Sequence, residues 1–421
     1  MANRTGEQLF AGIDIGSTAV RIAVGQRMVT ADKEQIHIIG AAEVPSEGIN
    51  RGTINSIEDA VSSVSACIEK VERMTGMQLG SAWVAISGAH VGLLESKGVV
   101  AVSKTDGEVR EEDVERAVEA AQTVATPVNV EIIHVILRMF TVDQQRGIKD
   151  PVGMNGIRLE VDAQIIHGQS AHIKNLTKCV YRTGVNMERL VVGVLAAAET
   201  VVTTRQKELG VAVVAIGGSS TTLAVYEQGD LVHLASIPVG SEHITSDIAI
   251  GLRTSIDIAE RVKLQFAYAI AKDVPKNEEV NLRELGADDD EMVSKRFVAE
   301  IVQARFEEIL EKVDKELKRI GKSGMLPAGV VLTGGGAKLP GLVDLAKQEL
   351  RLPCSLGYPL NMTSITDRVN DLAFTTAIGL VQWGADETPA HTGGRGFSLG
   401  SLKPVGQVAD KLKKWFGAMA S

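Results

Sequence analysis

Leu9-Phe-Ala-Gly-Ile-Asp-Ile-Gly-Ser-Thr-Ala-Val-Arg-Ile-Ala-Val-Gly25 is the stretch on which the reading of this chain turns. Two apolar, β-prone runs flank Gly16-Ser17-Thr18, three small residues suited to a tight hairpin turn. The same grammar returns about halfway along the chain. There Val211-Ala-Val-Val-Ala-Ile216 leads into Gly217-Gly218-Ser219-Ser220, and Leu223-Ala-Val-Tyr226 follows. A third segment, Gly329-Val-Val-Leu-Thr333, runs into Gly334-Gly335-Gly336 and then the helix-like stretch Leu339–Leu350. The recurrence predicts two similar α/β lobes, each offering one hairpin to a shared cleft.

A phosphate chain needs several backbone N–H groups aimed at one spot and side chains small enough to let it approach. Gly16, Ser17 and Thr18 provide this in one hairpin, and Gly217, Gly218, Ser219 and Ser220 in the other. Asp14 stands just before the first turn, where a carboxylate suits a hydrated Mg²⁺. Arg21 lies further along the hairpin, where a cation can reach a phosphate. Gly334, Gly335 and Gly336 would let an adenine ring lie flat on backbone, although alone they read equally well as a packed turn. Any one hairpin is an ordinary turn; the ordered set of three is what is specific. No Gly-x-x-x-x-Gly-Lys run and no strand–GxGxxG–helix unit occurs, so the P-loop and dinucleotide-fold readings fall away.

Composition agrees with this. The 421 residues suffice for more than one domain, and 42 glycines with only 4% aromatics favour turn-rich α/β lobes over an aromatic β-sandwich. A net charge of −9 argues against a general nucleic-acid surface. Cys67, Cys179 and Cys354 lie far apart without zinc or redox spacing and read as reduced thiols. Met1 to Gln8 is polar with no apolar signal core, and no apolar run approaches the ~20 residues of a spanning helix, so a cytoplasmic chain is expected. His90, His134 and His167 sit beside apolar runs and read as core or edge histidines, and Glu199 as an ordinary helix residue.

Between the hairpins, the segment from Ser81 to Gly168 holds several strand-like runs and an acidic-start helix from Arg110 to Ala121, enough for a small α+β subdomain. Residues 246–271 and 289–319 read as helical, the second with Phe297, Ile301, Phe306, Ile309, Leu310, Val313 and Leu317 on one face. The charged stretch 272–290 reads as an exposed loop. Composition changes after Trp383, and 384–404 reads as a flexible linker spanning roughly 20–25 Å. Beyond it Val405, Val408, Ala409, Leu412, Trp415, Phe416 and Met419 form one apolar stripe, with Lys411, Lys413 and Lys414 around it. Aromatics on one side and lysines on the other suit a bilayer interface with anionic headgroups.

The ordered motifs resemble the first phosphate, second phosphate and adenosine segments of the actin/Hsp70/sugar-kinase superfamily. At finer grain the chain resembles the FtsA family of bacterial cell-division proteins from about Gly12 to Phe416. Ser87-Gly-Ala-His90, Ile148 to Glu160, Gly240 to Ala249 and Ala259-Glu-Arg-Val-Lys263 carry that likeness, together with the linker and terminal helix. The resemblance implies an actin-like two-lobed ATPase fold of duplicated ribonuclease-H-like lobes, with an inserted α+β subdomain and a C-terminal amphipathic helix. Its expected parts are a first-lobe core (9–84, 163–198, 360–384), the inserted subdomain (85–162), a second-lobe core (199–228, 306–359), a second-lobe subdomain (229–305), a linker (385–404) and a membrane-targeting helix (405–419). It adds Gly240, Glu260, Lys263 and Lys338 to the residues expected around ATP and Mg²⁺. It further implies filaments on the cytoplasmic face of the inner membrane at the division site, recruitment of later division proteins by the inserted subdomain, and docking of the FtsZ C-terminal tail near Glu300 and Arg305.

The chain departs from the family at Ala215, where an Asp is usual, and at Ser219 and Thr222. Loss of one of two carboxylates that organise Mg²⁺ and water predicts ATP binding with slow or absent hydrolysis. A pilus-assembly adaptor of the same fold would not need the terminal helix. A sugar-kinase-like phosphotransferase would need a catalytic Asp that the cleft motifs do not supply.

Overall fold

A computed structural model describes residues 8–388, except 31–32, 104–105, 126–127, 289 and 361. The predicted terminal helix 405–419, and all of the predicted linker beyond Thr388, lie outside the described residues. The described chain divides into two compact units, one of 8–92 with 169–385 and one of 93–168 with 386–388.

The first unit contains two sheets built on one plan. In the first, Lys33–Pro45, Ala19–Thr30 and Leu9–Ile15 form an antiparallel meander, and Ser81–Ile86 then Asn186–Val192 extend it in parallel. In the second, Asp230–Ile237, Thr221–Glu227 and Val211–Ile216 make the same meander, extended in parallel by Val330–Thr333 and Cys354–Leu356. Thr363–Ser364 adds a further edge strand to the first sheet. Every residue of Val211–Ile216 except Ala215 is buried, as expected of a strand covered on both faces, hence its unbroken apolar run. The helix Ile57–Thr75 begins where the Ser56 side chain accepts from Asp59 N, and it buries Ala60, Val64, Cys67, Ile68 and Val71 at helical spacing.

Three sequence expectations need correction. The helix expected over 289–319 starts at Lys295, after a short strand, Met292–Ser294. Its first turns bury Val298 and Val302, while Phe297 is 44% exposed. The stretch 272–290 is not simply an exposed loop: Glu279–Asn281 pairs with Met292–Ser294, and Val280, Leu282 and Leu285 are buried in the second-lobe core. The helical stretch 246–271 is two helices, Ser241–Leu252 and Ile256–Phe266. Arg253 breaks them in a left-handed conformation, and Ser255 caps the second by accepting from Ile258 N.

The second unit holds a four-stranded sheet ordered Val91–Ala101, Arg158–Gln169, Val130–Val142, Gln145–Ile148. Its helix, Glu111–Ala125, packs Ala117 and Ala121 into a core with Val109, Phe140, Leu159 and Val161. Buried Asp113 fixes the entry to that helix by accepting from the amides of Arg110 and Ser103 and from the Ser103 hydroxyl. The unit is offset from the expected 85–162 because two long strands carry the chain in and out of it.

The last described helix, Thr375–Glu387, runs past the expected start of the linker at 385. Gly384 is not a linker residue: a Cβ there would lie 2.7–2.8 Å from the Trp83 ring, so the helix lies flat on that indole. Ala385 is buried, and its carbonyl accepts from Arg27 Nη2, whose guanidinium carbon lies 5.3 Å from the Phe10 ring centroid. Gly384→Val is expected to lower stability by about 1–3 kcal/mol, the scale of overpacking a tight contact. Gly80→Ala, with nothing within 4 Å of the new Cβ, should be close to neutral in the same urea titration.

Candidate functional site

The two hairpins end in turns that consume some of their polar groups and leave others. In the first, Asp14 and Arg21 are cross-strand partners and Gly16 N closes the turn on Ala19 O at 3.1 Å. The carbonyls of Gly16 and Thr18 accept from Ser46 Oγ at 2.7 Å and Ser46 N at 3.1 Å. In the second, Gly217 N closes on Ser220 O at 2.9 Å. The carbonyls of Gly217 and Gly218 accept from Ser241 N at 2.9 Å and Glu242 N at 2.8 Å, the first amides of the helix Ser241–Leu252. Among the described residues no acceptor takes the amides of Ser17, Gly218 or Ser219. Donors without acceptors at facing turns of small residues fit an anion such as a phosphate chain.

Asp14 stands two residues before Gly16, and the matching place in the second hairpin is Ala215, paired with Thr222. The site therefore has one carboxylate where two would be symmetric. Among the described residues no cluster of three or more metal-ligating side chains exists, so Asp14 would hold a Mg²⁺ as its single protein carboxylate, with phosphate oxygens and water completing the shell. Burial pushes the Asp14 carboxyl up to about 6, and Arg21 opposes that shift. Arg21 itself is occupied: its Nε donates to Glu43 Oε2 at 2.6 Å, and its guanidinium carbon lies 6.0 Å from the Phe374 ring centroid.

The third glycine segment divides its labour. Gly334 has φ 84°, and a Cβ on it would lie 2.6 Å from Ile216 O; one on Gly336 would lie 2.5 Å from Ile216 Cγ2. These two glycines let the turn pack on the end of the second hairpin's first strand. Gly335 meets only Ala373 Cβ, at 3.8 Å, and so keeps an open backbone face. Lys338 pairs with Asp371, and both line a cavity of about 500 Å³ with Leu356, Tyr358, Asp367 and Arg368. Burial works to raise the Asp371 pKa, but hydrogen bonds from Lys338 and Ala373 N hold the carboxyl below its usual range.

The second-lobe residues Glu260 and Lys263 come together beside Gly240. Lys263 Nζ lies 2.6 Å from Glu260 Oε2 and donates to Thr245 Oγ1 at 2.8 Å and Ser241 O at 3.4 Å. Glu242 stands on the same helix turn, its pKa raised by burial against the pull of Lys263. Sequence reasoning missed Ser46, Thr245, Arg368 and Asp371. None stands in a glycine segment, and only the folded chain brings them there.

Other expected residues have separate surroundings. Arg305 grips Asp247 through Nε at 2.6 Å and Nη2 at 2.8 Å and also pairs with Glu308, while exposed Glu300 lies 3.8 Å from Arg296. The pair expected at a docking helix is thus not a mutual pair. Glu199 accepts from Lys207 Nζ through both carboxylate oxygens at 2.9 Å. The His90 ring stacks on His172 at 4.6 Å, and burial, then His172, lowers its pKa to about 4, so it is neutral at physiological pH.

The folded-state pKa of Asp14 lies above its unfolded value of ~3.9, so folding takes up a proton and stability falls as pH rises from about 4 to about 6. Asp14→Asn should therefore stabilise the ligand-free protein at pH 7 and make little difference at pH 4. Urea unfolding at the two pH values checks this; an equal effect at both would contradict it.

The sequence is 35% identical over 419 residues to the cell division protein FtsA of Pseudomonas aeruginosa, covering 99% of each chain. It is 38% identical to that of Bacillus subtilis (89% of this chain, 83% of the relative) and 33% identical to that of Escherichia coli K12 (99% of each). The family description "Cell division protein FtsA" matches residues 212–379, and "SHS2 domain inserted in FTSA" matches 88–167. Among solved structures, the PilM–PilN type IV pilus biogenesis complex superposes with a TM-score of 0.64 at 16% identity, covering 89% of this chain and 98% of that one. MreB5 of Spiroplasma citri bound to ADP superposes with a TM-score of 0.53 at 14% identity, covering 90% and 97%. The MreB5 form bound to AMPPNP gives 0.53 at 13%, covering 91% and 97%. At such identities the structural likeness establishes the actin-like fold, and the close relatives establish the rest: the chain belongs to the FtsA family of cell-division proteins, with an inserted SHS2 domain.

Proposed function

We propose that this chain binds ATP with Mg²⁺ between its two lobes, hydrolyses it slowly or not at all, and serves as a membrane-bound, self-assembling scaffold that tethers FtsZ at the division site. The observation that carries the nucleotide reading is the pair of facing hairpins whose Ser17, Gly218 and Ser219 amides lack an acceptor among the described residues. Glu260 and Lys263 stand beside Gly240, where a ribose or base would pass, and the nucleotide-bound MreB5 structures share the fold. Phosphoryl transfer depends on positioned charge. With Ala215 opposite Thr222, the second hairpin carries no carboxylate at the place that matches Asp14 in the first.

The second-lobe subdomain offers a surface for the FtsZ C-terminal tail. Ile250, Ile256 and Leu264 are exposed there, exposed Glu300 carries a negative charge beside Arg296, and Asp247 holds Arg305 in place. The inserted unit is the candidate surface for filament contacts and later division proteins. Anchoring rests on the sequence of 405–419, with Trp415 and Phe416 entering the interface and Lys411 and Lys414 meeting anionic headgroups. No described helix is long and apolar enough to cross a membrane, so the attachment proposed is peripheral.

Single-turnover hydrolysis on purified protein tests the nucleotide reading. The parent should bind ATP and turn it over slowly. Ala215→Asp, which restores the second carboxylate, should raise the rate roughly tenfold or more, within the range a single preorganised group supplies. Equal and fast rates in both proteins would sink the reading.

A further inference from the structure

The tips of the two hairpins are bonded to each other. Ser17 Oγ lies 2.7 Å from Ser219 Oγ across 202 residues of sequence, and Ser17 Oγ also accepts from Gly52 N at 2.9 Å. Ser219 is only 5% exposed, so water competes poorly for this bond. Thr18 backs it up: a Cβ on Gly218 would lie 2.7 Å from Thr18 Cγ2, which places the two turns in van der Waals contact. A group as large as a phosphate cannot lie between tips this close, so the tips must part to admit one. The first bond to break is the one between the two serines.

We infer that Ser17 and Ser219 form an inter-lobe clasp that opposes nucleotide entry. The inference rests on the reading of this cleft as a nucleotide site. The backbone amides at both turns do the phosphate binding, and the Ser219 hydroxyl serves the clasp. Glycine at this position would keep the amide and lose the clasp, so Ser219 sets how readily the cleft opens rather than how tightly phosphate is held once inside.

Two measurements on the full chain decide it. In stopped flow with a fluorescent ATP analogue and Mg²⁺, Ser219→Ala and Ser219→Gly should associate faster by roughly 2- to 10-fold, the factor one net neutral hydrogen bond supplies, with unchanged dissociation rates. Slower association, or faster dissociation alone, would make Ser219 a ligand group and overturn the clasp. In the absence of nucleotide, amide hydrogen exchange at Gly52 and over 216–220 should be faster in Ser219→Ala than in the parent, and unchanged exchange would also overturn it. If no protein binds the analogue, the nucleotide reading fails, and the exchange result alone then decides whether the clasp exists.

Discussion

The helix Ser241–Leu252 seats its first two amides on the carbonyls of Gly217 and Gly218, and it can do so only because residue 240 has no side chain. A Cβ there would stand 2.5 Å from one of those carbonyls and 2.6 Å from the other. The third glycine segment meets the end of the same strand, with Gly334 and Gly336 against Ile216. Close approach of backbone to backbone at this one strand end draws the second hairpin, the first turn of a helix and the 333–338 turn together. The carbonyls of the turn are used up in that packing while its Gly218 and Ser219 amides are not, so on the proposed reading the packing and the phosphate binding have one cause.

The charges around the cleft are mostly matched in pairs. Arg21 answers Glu43, Lys263 answers Glu260, and Lys338 answers Asp371. Asp14 has no close ion pair of this kind among the described residues, and burial holds its pKa up. On the proposed reading, an incoming Mg²⁺ would supply the missing positive charge and relieve that cost, linking metal binding to the stability of the first hairpin. On the same proposed reading, the absence of a carboxylate at 215 leaves the cleft better arranged to hold a nucleotide than to break it.

Much of the fold was legible because its decisive segments are local. A buried strand followed by small turn residues is recognisable from a dozen positions, and both hairpins formed with the expected turns. What escaped the sequence depends on partners far along the chain. Gly384 resembles a linker glycine until Trp83, some three hundred residues earlier, lies across it. Phe297 suits a core face as well as Val298 does, and only the strand Met292–Ser294, which sets where the helix starts, turns Val298 and Val302 inward. The charged stretch 272–290 hid Val274, Val280, Leu282 and Leu285, all buried, because its apolar positions follow no single period. In the site, the glycines were readable as turns, but Asp371, which neutralises Lys338, lies outside every motif.

The most direct test of the whole account is electron microscopy of the protein on an anionic lipid monolayer, with and without ATP and Mg²⁺, beside the chain ending at Pro404. The account predicts membrane-attached filaments from the full chain with ATP and bare lipid from the truncated one. Filaments on lipid from the truncated chain, or no attachment by the full chain under any condition, would contradict it.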